Sequence, residues 1–468
     1  LVIDSLRHDK CTGKQKSSVT PNLDKFIQNG TFFNQTISPA SITVPSLSSI
    51  FTGLYPYECT ILDNDLFNMI PNTRTFIHDL SDSGYITSAI IPEALSHTNI
   101  VKIFSDVEFF NSFSTLYDGI GERIVNKIKA YSQKMPWFLY AHLEDLHGNA
   151  MFNLTDNTKQ ITNFSGKNQY EKMLSAVDAW LGKILENLNC NNTITIITSD
   201  HGSTSADFTN EMLAFNLKND ELRQSNPGII YKLGHGIFTS LPESLGPIRK
   251  RAANIYTKDK NEKIKKRLVP RLDEIDKLNP TLYQRRLLKK SVTYPNDCYD
   301  ENFRPALIFS GHKIPKNKIV NTQISSIDIF PTILEMIGIT PKITTCGRSF
   351  TPLFFNKSFE EIAVLLDSAS NTTESEYSDV IGIRTPKFKY FRNRKNPKND
   401  LYLYDLEHDP LELSNISEQN PDIIEKLEHE LLQINPTGNF EFKKTHELSD
   451  DETEKAKKIL RKLGYIND

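Results

Sequence analysis

Two stretches of the chain carry side chains that could do chemistry on an ester. In Ser41–Pro56, SITVPSLSSIFTGLYP, Thr43 stands two residues before Pro45, and a helical-looking run follows and ends at Gly53. Proline fits the first turn of a helix, where its missing N–H costs nothing, and glycine closes helices in the left-handed conformation. The spacing therefore predicts that Thr43 sits at a helix N-terminus, where free N–H groups and the helix dipole favour an anion. A hydroxyl held there can act as a nucleophile toward a phosphate- or sulfate-like group. An ordinary helix cap is the competing reading, because Thr is common in that role. The second stretch is Ser199-Asp200-His201-Gly202, which follows the alternating β-branched run Asn192–Ile197. An adjacent carboxylate and imidazole at a strand end suit a divalent ion, and the glycine lets the backbone turn sharply. Asp4 likewise ends an apparent buried strand, Leu1–Asp4, although an Asp in that position more often caps a helix.

The elements that must position these residues follow from periodicity. Pro21–Gly30 has apolar Leu23, Phe26 and Ile27 at helical spacing, and Arg74–Gly84 is another helix. Tyr85–Pro92 and Trp137–Tyr140 read as strands. Tyr170–Leu188 is strongly amphipathic, with Met173, Val177, Trp180, Leu181 and Ile184 on one face. Strands that alternate with helices predict a mainly parallel α/β sheet covered by helices on both faces. In such a sheet, ligands bind beyond the carboxyl ends of the strands.

The segment around Thr43 resembles the nucleophile motif of the sulfatases, C/S-x-P-S-R followed by a short helix and T-G. Thr43, Pro45, Ser46, Thr52 and Gly53 fall on its positions without a gap. The residue that sulfatases convert to formylglycine is Thr here, and the motif's Arg is Leu47. Thr at the nucleophile position is the choice of phosphate-handling relatives in the alkaline phosphatase superfamily. Further segments resemble the same family: Pro21–Gly30, Tyr299-Asp300-Glu301, Asp328 with Pro331-Thr332, Cys346–Phe350, and Leu401–Asn415 (LYLYDLEHDPLELSN).

The resemblance implies one divalent ion held by Asp4, Thr43, Asp200 and His201, with manganese or zinc ahead of calcium or magnesium because of the imidazole. The first aspartate pair of the family is Asp4-Ser5 here, so one carboxylate is missing. The family's strand ending in D-x-H implies that His147, with His142 second, faces the substrate. Gly234-His235-Gly236 resembles a later G-H-G whose His contacts the transferred group. The catalytic set implied is thus Thr43, His147 and His235. The organisation expected is a catalytic α/β domain over 1–375 and a small C-terminal antiparallel sheet subdomain over 376–468.

Between these matches, 249–290 carries 15 Lys/Arg against 5 Asp/Glu, a net +10 in a chain whose whole is −3. It belongs to an insertion over about 240–295. A solvated helical excursion is one reading, and a cradle for an anionic polymer or lipid head group is the other. Only Tyr256 and Tyr283 interrupt the basic stretch, so nucleic acid is not the expected partner. The five cysteines are widely spaced and suggest neither a disulfide framework nor a thiolate metal site. No apolar run approaches the roughly 18 residues of a membrane span, and a soluble, by default cytoplasmic, protein is expected, with an extracellular or surface location also open. The expected partner is an anionic ester. A catalytically inactive module of this fold that binds an anionic polymer is the competing function, favoured by Ser5 and Leu47.

Overall fold

The computed structural model describes residues 1–12, 16–132, 136–147, 164–224, 263, 266–293, 297–368 and 380–462. A central sheet of eight strands organises the chain: β1 (Val2–Ile3), β2 (Gly30–Phe33), β3 (Ile86–Pro92), β4 (Asp106–Phe110), β5 (Trp137–Leu143), β6 (Ile194–Thr198), β7 (Leu307–Gly311) and β8 (Lys318–Val320). Their spatial order is β8-β2-β7-β6-β1-β5-β3-β4. β7 is antiparallel to both its neighbours, and the remaining pairings are parallel. The predicted mainly parallel sheet is thus present.

Two apolar clusters flank the sheet, as its alternating side chains require. One gathers Ile3, Leu143, Ile197 and Ile308 with Met173, Val177 and Leu181 of the helix Gln169–Leu185. The other gathers Val2, Phe33, Leu307 and Phe309 with Leu47, Ile50 and Phe51 of the helix Thr43–Thr52. The residues read from sequence as the core stripe of the long amphipathic helix are all buried.

A second sheet of four antiparallel strands, β9 (Val364–Ser368), β10 (Val380–Arg384), β11 (Phe388–Asn393) and β12 (Tyr402–Asp405), lies toward the C-terminus, covered by the helix Pro421–Ile434. Its first strand lies before residue 376, so the sheet begins upstream of the boundary read from sequence. A buried charge network ties the sheet to the body. Arg384 holds Asp300 through two hydrogen bonds of 3.0 Å, and Lys389, fully buried, reaches Glu412 at 2.7 Å. Asp300 belongs to the Tyr299-Asp300-Glu301 segment noted in the sequence.

Contacts divide the chain into two compact units. The first contains both sheets, and the second runs over Phe208–Pro295 with a few further residues. Within the second, the described part of the basic stretch is helical: a 3-10 segment, Val269–Leu278, and a helix, Leu282–Thr293.

Candidate active site

The site gathers at the carboxyl ends of three neighbouring strands, β5, β1 and β6. Val2 pairs with His142 on one side and with Thr198 on the other. This register sets Asp4, His142 and Asp200 side by side just where the strands end. All three are fully buried. One ligand-type atom from each lies within 4.8 Å of the others. Asp4 Oδ2, Asp200 Oδ2 and His142 Nε2 are buried without a hydrogen-bond partner. Three orphaned polar atoms converging in one spot would be costly in an apolar interior. Two carboxylates and an imidazole with free valences fit a divalent cation, and that is what the donor set suits.

The remaining valences are held in place by local hydrogen bonds. Ser5, in the left-handed region at φ 65°, donates its hydroxyl to Asp4 Oδ1 at 2.8 Å. The residue that replaces the second aspartate therefore orients the first. His201 N donates to Asp200 Oδ1 at 3.0 Å, and Ser199 Oγ donates to the His201 carbonyl at 2.6 Å. Gly202 follows because there is no room for a side chain: a Cβ there would lie 2.0 Å from the Glu301 carbonyl oxygen. His142 Nδ1 faces Tyr140 Oη at 2.9 Å, which fixes its ring.

Thr43 is the first residue of its helix, Pro45 lies in the first turn, and Gly53 closes it at φ 67°. Ile42 occupies the cap position and no side chain caps the helix. The Thr43 hydroxyl is thus not spent on capping: its Oγ1 lies 3.3 Å from His201 Nε2. His201 Nδ1 lies 2.8 Å from the Gly202 carbonyl oxygen. A carbonyl can only accept, so Nδ1 carries a hydrogen, and in the neutral ring Nε2 presents its lone pair to Thr43. Ser46 Oγ donates to the Asp200 carbonyl at 2.6 Å and pins the helix start to the end of β6.

The charges of the site depend on one another. Burial alone would raise the Asp4 carboxyl, but His201, His142 and His147 around it together hold it far below the usual carboxylate range. Burial would lower His201, but Asp200 and Asp4 outweigh it and raise the imidazole. His147 is half-buried, and its burial wins: its pKa falls despite the pull of Asp4 and Asp200. Glu144, two residues after His142, is buried with Oε2 unpartnered, and burial next to Asp4 and Asp200 pushes it well above its ordinary value.

Of the predicted site residues, Asp4, Thr43, Asp200 and His201 are brought together, with His201 Nε2 3.7 Å from Asp4 and 3.5 Å from Asp200. His147 stands near enough to shift the Asp4 carboxyl. His235 and the Gly234-His235-Gly236 segment lie outside the described residues. The geometric cluster is completed by His142, which the sequence reading placed second to His147. The signal that could have found it is its place in the last turn of a strand adjacent to the one ending in Asp4. No helix among the described residues is long and apolar enough to cross a membrane.

Comparison with known proteins places this geometry. The family model "Sulfatase" matches residues 1–339, and the model "N-sulphoglucosamine sulphohydrolase, C-terminal" matches 296–437. Among curated proteins, rat (Rattus norvegicus) arylsulfatase K is 27% identical over 150 residues, 30% of this chain and 26% of that protein. Choline-sulfatase of Rhizobium meliloti is 35% identical over 136 residues, 28% of this chain and 25% of that protein. The matched region thus spans about a quarter of these relatives' length. Among solved structures, Ps i-CgsB in complex with k-i-k-neocarrahexaose superposes with a TM-score of 0.62 at 15% identity, covering 99% of this chain and 98% of that one. The putative sulfatase yidJ from Bacteroides fragilis gives 0.60 at 16% identity, covering 94% and 96%. Because the family model spans most of the chain and its fold is the one found here, the chain belongs to the sulfatase family.

Proposed function

We propose that this chain cleaves anionic esters, phosphate ahead of sulfate, through a covalent ester on Thr43. The observation that carries the proposal is the 3.3 Å approach of Thr43 Oγ1 to His201 Nε2, at a helix N-terminus beside the cluster Asp4–His142–Asp200. Asp4, Asp200, His142 and His201 are the residues that would hold a divalent ion, which would supply positive charge against the ester oxygens and make the Thr43 hydroxyl more acidic. The helix N-terminus favours the substrate's anion in front of Thr43. Thr43 Oγ gives up its proton toward the His201 side and attacks in line, so that the bond to the alcohol oxygen breaks. That oxygen leaves with a proton, for which His147 is the donor in reach of the site. Water then attacks the same central atom, and Thr43 Oγ takes a proton back as it departs.

The preference for phosphate rests on the nucleophile. A formylglycine diol can shed sulfate by breaking its own carbon–oxygen bond. Thr43 has a single hydroxyl and no such route, so the second attack must occur at phosphorus or sulfur itself. Leu47, where the motif's Arg supports the diol, points the same way. Ps i-CgsB in complex with k-i-k-neocarrahexaose, BT4656 with D-Glucosamine-2-N, 6-O-disulfate, and relatives called arylsulfatase and choline-sulfatase support the second reading, sulfate ester hydrolysis. Measuring kcat/KM for matched aryl phosphate and aryl sulfate esters, with manganese supplied, separates the two. Phosphate turnover should be the faster, and sulfate turnover at the same rate or above removes the preference.

A further inference from the structure

An open cleft of about 560 Å³ adjoins Thr43, walled by apolar Val44, Leu66, Phe67 and Leu95 and containing Glu144 and Asp65. An alcohol leaving Thr43 has this cleft beside it. None of its described lining residues is a lysine or arginine, and its one imidazole, His97, is held neutral at pH 7, its pKa pushed down to about 4 by burial. Glu144 is 4% exposed, and its Oε2 has no hydrogen-bond partner. Asp65 stands at the exposed rim, where Lys444 reaches it only at 4.0 Å with both side chains largely in water. Such a pair is weak and leaves Asp65 available to a ligand.

We infer that the alcohol portion of the substrate is a small group with a cationic or multiply N–H-donating end, received by Glu144 and Asp65, and not a polyanionic glycan. The inference rests on the ester-cleaving reading above and adds the leaving group to it. The reason is electrostatic complementarity. A sulfated or carboxylated alcohol entering this cleft would lose its hydration and meet carboxyl oxygens with no cation to offset the cost. An ammonium donates to the unpartnered Glu144 oxygen and to Asp65, while its carbon stem lies against Leu66 and Phe67. The basic insertion could still attract an anionic surface from a distance, but the residues that would sort alcohols at Thr43 are acidic.

The test is binding, so that it does not depend on turnover. To Thr43→Ala protein with manganese supplied, 2-aminoethyl phosphate should bind at least tenfold more tightly than n-propyl phosphate by calorimetry, with 2-carboxyethyl phosphate weakest. Glu144→Gln in the same background should bring the aminoethyl and propyl affinities together, and Asp65→Asn, at the exposed rim where folding is not at stake, should narrow the gap severalfold. Equal affinities, or an order with 2-carboxyethyl phosphate first, overturn the inference. Hydrolysis of aryl phosphates by the unmodified protein is scored separately, so a failure of the catalytic reading leaves the binding order readable.

Discussion

Thr43 Oγ1 and His201 Nε2 face each other at 3.3 Å, while the other nitrogen of the same ring is committed to the Gly202 carbonyl. Two residues 158 positions apart are thus locked into one tautomer and one direction. The pair makes Thr43 the hydroxyl through which any covalent step would run.

Thr43→Ala should therefore lower kcat by on the order of 10³-fold, as loss of a covalent nucleophile does. Thr43→Ser should keep much of the activity, because it keeps the hydroxyl at the helix start. Circular dichroism should show both variants folded, since Thr43 caps nothing. Equal kinetics for the Ala and unmodified proteins would remove Thr43 from the mechanism.

Metal content follows from the orphaned oxygens of Asp4 and Asp200 and the free nitrogen of His142. Elemental analysis should find one divalent ion per chain in the unmodified protein. Asp200→Ala should lose it together with turnover, and His142→Ala should weaken it. Dialysis against a chelator should abolish activity, and manganese or zinc should restore it. Full occupancy in Asp200→Ala would sink the assignment.

Asp328 supplies a pH dependence away from the site. Its carboxylate accepts from Ser325 N at 2.9 Å and Arg348 N at 2.8 Å, yet burial outweighs those bonds and raises its pKa from 3.8 to about 6. A raised carboxyl binds its proton more tightly when folded. Its contribution to stability is therefore complete below pH 3.8 and is lost as pH rises through 6, a difference of about 3 kcal/mol. Urea unfolding of the unmodified protein and Asp328→Asn between pH 4 and 7.5 reads this directly. The variant should lack that share of the slope, and parallel curves for the two would contradict it.

The buried network around Lys389 should be a stability centre. Lys389→Met leaves the Glu412 and Asp300 carboxylates short of a cation they now share with Arg384. Breaking a buried pair from one side costs about 3–5 kcal/mol. The midpoint of denaturant unfolding should fall accordingly, with no direct effect on the metal content of the folded protein. An unchanged midpoint would show that the network carries no net stability.

The sequence by itself determined the parts of the site whose signals are local. Pro45 and Gly53 mark the two ends of the helix that carries Thr43, and runs of β-branched residues end in Asp4 and in Asp200-His201. Each depends on neighbours a few positions away, so each is legible without the fold. Sheet class and the amphipathic helix Gln169–Leu185 were readable for the same reason. Only the tertiary structure decided that His142 joins Asp4 and Asp200. That choice is made by the register of β1 against β5, Val2 opposite His142 and Ile3 opposite Leu143, and strand alternation turns a one-residue slip into the opposite face. The cleft likewise draws Thr43, Asp65, His97 and Glu144 from four separate segments. The charge on Asp4 is also a tertiary property. It is set by a contest between burial and three imidazoles that meet only when β5, β1 and β6 lie side by side.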